Sequence, residues 1–156
     1  MNVNMFWRSL AAGLCGSVAH SCLMFLKSWA GWLPSFQPYE DLQHLLAGFT
    51  GYSVHPWIPW TLSFLNGAVV FGFLFGRFYR FLPGRNGAVK GLIFGALGWI
   101  MMGLLFFPAL GLGLFAVGQG LGAQPAMFSF LMLVTYGIAM GVAYAALGAK
   151  GPREIS

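Results

Sequence analysis

Charged residues are scarce in this sequence of 156 residues: they make up 7% of it, against roughly a quarter in an ordinary soluble domain. Hydrophobic residues make up 58%. A chain with so little polar surface cannot face water over most of its area. Hydrocarbon must solvate it instead, and only helices or closed barrels satisfy every backbone group there. The apolar runs are about 20 residues long and do not alternate with polar residues, which favours helices over barrel strands.

Acidic residues are the scarcest of the charged residues, since the whole chain holds three of them. None of the three falls within an apolar run. A site of the hydrolase type needs a base paired with a carboxylate. The sequence therefore gives no basis for such an enzyme inside the membrane, and we favour a protein that is not an enzyme.

The apolar runs predict an all-α polytopic membrane protein, a compact four-helix bundle that forms one domain over residues 1–156. The predicted spans are residues 9–30, 58–82, 88–107 and 125–147. Between the first two spans, residues 38–49 place apolar side chains on one helical face, beginning with Leu42, and polar ones on the other. This pattern predicts a short amphipathic helix at the membrane surface. The glycine-rich connector 109–124 is expected to be flexible or partly re-entrant, with a short helical piece around Phe115.

The basic residues cluster at the ends of the apolar runs, which indicates a role in orientation and argues against binding of nucleic acid. Arg8, the loop after the second span, and Lys150 with Arg153 fall on one side. The positive-inside rule then predicts an inner-membrane protein with both termini in the cytoplasm. The loop carries four bases, Arg77, Arg80, Arg85 and Lys90. Besides setting topology, this patch could contact anionic lipid headgroups or a partner subunit, and the sequence leaves both open.

Small residues recur every four positions along the spans, a spacing that lets helix backbones approach closely. The stripes are Ala12 and Gly16 in the first span, Ala68, Gly72 and Gly76 in the second, Gly87, Gly91 and Gly95 in the third, and Gly137, Gly141 and Ala145 in the fourth. The likeness of the second and fourth spans suggests two parallel helical hairpins with pseudo-twofold symmetry. The alternative is that any two glycine-rich helices look alike. The stripes could serve internal packing or a homodimer.

Polar side chains at membrane depth are costly and therefore mark candidate sites. At about 1.5 Å per residue, one polar group from each span reaches a similar depth. These groups are His20, Asn66, Trp99 and Thr135, with Tyr136 beside the last. One interpretation is a binding or conduction site with His20 as proton acceptor or ligand. The other, which we favour, is an interhelical clamp whose hydrogen bonds each contribute about 1 kcal/mol or less.

A metal site on the outer side could draw only on Glu40, His44 and His55. The first two share a helical face, but the third has no fixed spacing from them, so we expect no metal site. Haem usually takes two axial ligands, and a single histidine falls within a span. We therefore expect no bound cofactor.

Glycine and proline punctuation over nearly the whole chain resembles a known family. The stretches that carry the likeness are GLCGSVAHSCLMFL, LNGAVVFGFLFGRFYRFLPGR, GLIFGALGWIMMGLLFFPALGLGLF and TYGIAMGVAYAAL. The sequence is similar to small prokaryotic four-span integral membrane proteins grouped as a domain of unknown function. That resemblance implies the architecture and implies no known reaction.

Three functions follow as hypotheses. The first is an accessory or structural subunit that packs against membrane-protein partners. The second is a small transporter or channel, dimeric or not, that uses the polar layer around His20. The third is a membrane-bound redox or metal-binding protein.

Overall fold

The computed structural model describes residues 3–149, and within them the chain is entirely helical, with turns between the helices. Four helices are long and apolar enough to cross a membrane. In chain order the helices are α1 (Val3–Trp29), α2 (Pro38–Thr50), α3 (Trp57–Phe78), α4 (Gly87–Ala109) and α5 (Gln124–Ala149). A short 3₁₀ helix, Leu114–Gln119, lies in the connector before α5. Residues 3–149 thus form four long helices that could span a membrane and two short ones.

The ends of the helices follow local chemistry. Helix α2 begins with Pro38 at its first turn, where the missing amide proton costs nothing, and ends at Gly51 in the left-handed conformation with φ 72°. Helix α4 begins at Asn86, whose side chain accepts a hydrogen bond from the Val89 amide at 2.8 Å. Helix α3 ends at Phe78, four residues before the predicted residue 82, and Pro83 disfavours helical backbone at Leu82.

Two of the long helices contain a stretch of π-helix. The wide turns are Asn66–Phe71 in α3 and Met102–Phe106 in α4. In α3 the Gly72 amide bonds the carbonyl oxygen of Gly67, five residues earlier. In α4 the Phe107 amide likewise donates to the carbonyl oxygen of Met102, five residues earlier. Such segments are rare and are often found at functional sites.

Glycine contacts hold the helices in two antiparallel pairs. Helices α4 and α5 share the most extensive contact, and a methyl group on Gly91 would overlap the carbonyl oxygen of Gly137. Helix α1 packs on both α3 and α5, with Gly13 against the backbone of Ala68. In contrast, α3 and α4 share little backbone contact. The small-residue stripes therefore face inward, where they are used within the chain.

Helix α1 begins, and helix α5 ends, at the same end of the bundle. The Arg8 guanidinium donates to the Tyr144 carbonyl oxygen at 3.0 Å and lies 4.4 Å from the centre of the Tyr144 ring. At this end too, Lys90 donates to the Tyr79 carbonyl oxygen at 2.7 Å. We call it the basic end. The predicted basic residues Lys150 and Arg153 lie outside the described residues.

The opposite end, which we call the far end, is covered by α2 and the connector. A buried cluster joins the residues that precede α2 to the end of α4 and to the connector; its members are Phe36, Phe107, Leu112 and Ala116. The buried ammonium of Lys27 donates to the carbonyl oxygen of Phe36, which ties α1 to the same cluster. The connector is thus folded onto the bundle, with its 3₁₀ helix at the position where a helical piece is predicted.

Candidate functional site

A cavity of about 590 Å³ lies inside the far-end half of the bundle. Its back wall comes from α1 and α5 and contains the buried side chains of Met24 and Met132. Helix α2 forms its roof with Pro38, Tyr39 and Leu42. Close packing normally leaves few voids larger than a water molecule, so a space of this size is a candidate binding site.

Aromatic rings close the cavity toward the basic end. Phe71 and Phe94 line its floor with ring centres 6.2 Å apart. Beneath them, Phe75 is fully buried and contacts the rings of Phe94 and Tyr144 at 5.2 and 5.7 Å. The space therefore ends at about the middle of the bundle and does not continue to the basic end.

Two hydroxyl groups of the back wall hold the π segment of α3. Tyr136 donates to the carbonyl oxygen of Gly67 at 2.6 Å, and Ser17 donates to the carbonyl oxygen of Phe64 at 3.3 Å. Both acceptors lie within three residues of Asn66, where the π segment begins. The hydroxyls thus satisfy carbonyl oxygens at a point where the helix is irregular, which is how such backbone is tolerated at membrane depth.

The roof is fixed to α3 in a similar way. The hydroxyls of Tyr39 and Ser63 lie 3.1 Å apart in a hydrogen bond, and the Tyr39 ring lies 4.4 Å from that of Trp60. Burial raises the pKa of Tyr39, and the bond to Ser63 opposes this rise in part. Burial also raises the pKa of Asp41 on the same helix, and the neighbouring Glu40 carboxylate adds to the effect. In both side chains burial therefore shifts the ionisation equilibrium toward the neutral form.

Four polar side chains of the cavity wall have no hydrogen-bond partner among residues 3–149. They are His20 and Ser21 on α1, and Trp60 and Asn66 on α3. Imidazole and amide groups each offer both a donor and an acceptor. Formally charged side chains are missing from the described lining, since His20 is its single titratable base and it holds no carboxylate. The cavity thus presents neutral hydrogen-bonding groups in an apolar surround.

The five residues of the predicted polar layer separate into two groups. His20, Asn66 and Tyr136 line the cavity. Trp99 lies outside the lining, and its indole donates to Ala126 and Ser129 of α5 at 3.0 and 3.1 Å. Thr135 is half-buried and also lies outside the lining. Trp99 does not share the depth of Tyr136. Its partners Ala126 and Ser129 lie in the first two turns of α5, nearer the far end than Tyr136.

The four residues of the predicted basic patch also separate into exposed and half-buried side chains. Three of its members are exposed in or beside the loop at the basic end: Arg77, Arg80 and Arg85. Lys90 is half-buried and is held by the carbonyl oxygen of Tyr79, with its ammonium 4.4 Å from the centre of the Tyr79 ring. The Lys90 ammonium therefore joins the start of α4 to the residue that follows α3, and it stabilises the loop between them.

The three residues considered from sequence as possible metal ligands do not form a ligand set. Glu40, His44 and His55 are exposed at the far end, and within residues 3–149 no group of three such side chains is close enough to hold a metal ion. The His55 ring instead accepts a weak hydrogen bond from the Trp57 amide at 3.4 Å.

Sequence reasoning missed the roof and the π segments. The hydroxyl–hydroxyl pair of Tyr39 and Ser63 joins residues 24 apart in sequence, and no spacing rule connects them. The two π segments have no composition that separates them from ordinary apolar helix. Ser17 and Ser21 flank His20 on its helical face in the sequence, and both line the cavity with it.

Comparison with known proteins adds a family and no activity. Neither a curated protein nor a solved structure matches the sequence. A family model described as a family of unknown function, DUF6789, matches residues 3–154. That match covers nearly the whole chain and agrees with the resemblance to small four-span membrane proteins of unknown function. The chain belongs to the DUF6789 family of unknown function.

Proposed function

We propose that this protein binds a small lipophilic molecule inside the membrane, in the cavity roofed by α2. The observation that carries the proposal is a space of about 590 Å³ whose apolar wall holds the unpartnered polar groups of His20 and Asn66. Ligand sites in proteins have this form: about 300–1,000 Å³, largely apolar, with a few polar groups that orient the ligand. A polar group left unpaired at membrane depth is costly, and a ligand that bonds to it removes the cost.

A binding site is better supported than a channel, which was part of the second hypothesis from sequence. Conduction needs a path through both halves of the bundle. The buried ring of Phe75 and the half-buried rings of Phe71 and Phe94 stand between the cavity and the basic end. A carrier that opens alternately would have to move these rings, whereas a binding protein needs no such motion.

An accessory subunit, the first hypothesis, has weaker support. Its motivation was the set of small-residue stripes, and Gly91, Gly137 and Gly72 are in close backbone contact with other helices of the same chain. A partner or a second copy would therefore have to pack on the larger side chains of the outer surface. A redox or metal-binding role has no further support, because the candidate ligands are dispersed over the far end.

The proposal includes a location. Exposed arginines lie at the basic end beside Arg8, while Glu40 and Asp41 lie at the far end. The positive-inside rule supports an inner-membrane protein with the basic end, and so both termini, in the cytoplasm. Anionic headgroups of the cytoplasmic leaflet are then the natural contacts of the exposed arginines. With the two native cysteines replaced (Cys15→Ala/Cys22→Ala), Asn86→Cys should be modified by a membrane-impermeant maleimide in inverted vesicles and protected in intact cells; the reverse pattern would contradict this orientation.

The binding proposal is tested by what remains with the purified protein. We expect native mass spectrometry of protein extracted from membranes in mild detergent to show a bound lipophilic molecule. Loss of two hydrogen bonds at about 1 kcal/mol each weakens the affinity about thirtyfold, so His20→Ala/Asn66→Ala should lose most of the adduct.

Leu65→Ala is the matched control, because Leu65 is exposed beside Asn66 and lies outside the cavity lining. Equal occupancy in the double variant and the control would place the molecule elsewhere. Wild-type protein that carries no adduct and takes none up from added lipid extract would refute the proposal.

A further inference from the structure

We infer that the cavity opens sideways to the lipid between α3 and α4, and that its ligand is a neutral single-chain lipid with a hydroxyl or carbonyl head, held by His20 and Asn66. This inference rests on the proposed function and names the class of ligand and its route. It follows from where the exposed wall residues lie, from which polar groups are unpartnered, and from the lack of charge.

Exposure locates the opening. Four cavity-lining residues are exposed: Leu62 (47%) and Asn66 on α3, and Met101 (55%) and Leu105 (60%) on α4. The lining residues from α1, α2 and α5 are all buried or half-buried. We call these four residues the portal. It lies on the helix pair that shares little backbone contact, and α1, α2 and α5 close the other sides.

The depth of the portal determines what it faces. Asn66 is the tenth residue of the span Trp57–Phe78, and Met101 is the fifteenth of the span Gly87–Ala109. At about 1.5 Å per residue, both lie well inside the roughly 30 Å hydrocarbon core. The portal therefore opens onto lipid chains, and the roof of α2 lies between the cavity and the water at the far end. A ligand that is already dissolved in the bilayer can enter without crossing water.

The polar groups select the head of the ligand. The hydroxyls of Ser17, Tyr39 and Tyr136 are used in bonds within the protein. The groups that remain are His20, Ser21 and the indole N–H of Trp60 on the wall, and Asn66 at the portal. An imidazole and an amide suit a hydroxyl or carbonyl group, which makes one or two hydrogen bonds. A phosphate or ammonium head would be desolvated without an opposite charge beside it, which costs several kcal/mol.

The shape of the cavity fits one chain. It is bounded by Phe71 and Phe94 toward the middle of the bundle and by Pro38 and Leu42 at the roof. The long dimension that this leaves is at most about half of the hydrocarbon core, on the order of 15 Å. One alkyl chain fills such a space against Met24 and Met132, whose flexible side chains adapt to an irregular occupant.

Photolabelling in liposomes tests the head class. The protein is reconstituted in phosphatidylcholine with one of three probes that carry the same diazirine-bearing twelve-carbon chain: a primary alcohol, a phosphocholine or a primary ammonium. We expect the alcohol to label the back wall around Met132 at least fivefold more than either charged probe. His20→Ala should remove most of that preference, whereas Leu65→Ala should leave it unchanged. Preferential labelling by a charged probe, or equal labelling by all three, would overturn the head assignment.

The route is tested with a larger and a smaller side chain at one portal position. Leu105→Trp should slow labelling of the wall by the alcohol several-fold, and Leu105→Ala should accelerate it. The neighbouring Leu104 is also exposed but lies outside the lining, so Leu104→Trp and Leu104→Ala are the matched controls. Equal rates in all four variants would overturn lateral access. If no probe labels any wall residue, the proposed function itself fails, which is a different result from labelling without head preference.

Discussion

The contact between α4 and α5 makes a sharp prediction about two glycines of the same helix. A methyl group on Gly91 would overlap the backbone carbonyl of Gly137. A methyl group on Gly98 would meet only side-chain atoms, Leu133 at 3.5 Å and Phe71 at 3.9 Å, which is ordinary van der Waals contact. We therefore expect Gly91→Ala to destabilise the protein and Gly98→Ala to stabilise it or leave it unchanged.

The magnitudes follow from the two environments. Overpacking a tight contact costs about 1–3 kcal/mol, and at Gly91 the obstructing atoms are backbone, so no side chain can rotate away. The helix must shift from α5 along a contact that also includes Gly87 and Gly95, where a methyl group would likewise overlap backbone of α5. At Gly98 the alanine gains about 0.5–1 kcal/mol from reduced backbone freedom in the unfolded chain. Because that gain applies to both alanines, the two free energies of unfolding should differ by the overpacking cost alone, about 1–3 kcal/mol.

Unfolding by titration with SDS in mixed micelles measures that difference. Both substitutions add the same methyl group to the same helix, so effects on helix propensity and micelle binding largely cancel. Gly98→Ala thus serves as the control for Gly91→Ala. Free energies of unfolding within about 0.5 kcal/mol of each other would refute the packing of α4 on α5 described above.

Three further substitutions test individual contacts. Tyr136→Phe removes the 2.6 Å hydrogen bond to the carbonyl oxygen of Gly67 and should lower the free energy of unfolding by about 1 kcal/mol in the same SDS titration; a change below about 0.3 kcal/mol would count against this bond. Tyr39→Phe removes the bond to Ser63 and should increase hydrogen exchange in α2 while α4 stays protected; unchanged α2 exchange would mean that the roof does not depend on it. Burial raises the pKa of Asp41 above its ordinary 3.8, so the folded form gains stability as pH falls toward that value and loses it as pH rises. Asp41→Asn should therefore melt at a higher temperature than wild type at pH 7, and the gap should narrow at pH 4; a gap that widens on acidification would contradict the sign.

Much of the fold could be predicted because its signals are local. The length and composition of an apolar run determine whether it can span a bilayer, so the predicted spans lie close to the observed helices. The pattern around Leu42 similarly predicts α2 to within a residue. The pairing of the stripes is different, because it depends on which helices are neighbours. Gly13, which contacts Ala68, is one residue from the predicted Ala12 and was not selected.

The candidate site could be predicted only in part for the same reason. His20 and Asn66 were selected as polar residues at membrane depth, and both line the cavity. The internal pairing of Trp99 with Ser129 depends on the angle between α4 and α5, which a count of residues from the helix end does not contain. A cavity is a property of packing among five helices, so no single stretch of sequence carries a signal for it.

The two π segments explain why the bundle is closed on one side and open on the other. Helices α4 and α5 pack through glycines with regular backbone, and nothing separates them. Helices α3 and α4 each widen by one residue in a turn beside the cavity, at Asn66–Phe71 and Met102–Phe106. Because a wide turn bulges its helix, two of them on facing helices oppose the close approach that glycine stripes produce elsewhere. The hydroxyls of Tyr136 and Ser17 bond to α3 beside one bulge, so contacts within the protein support the inferred portal. Site and fold are then coupled: a substitution that restores regular helix in α3 should close the cavity at the same time as it tightens α3 on α4.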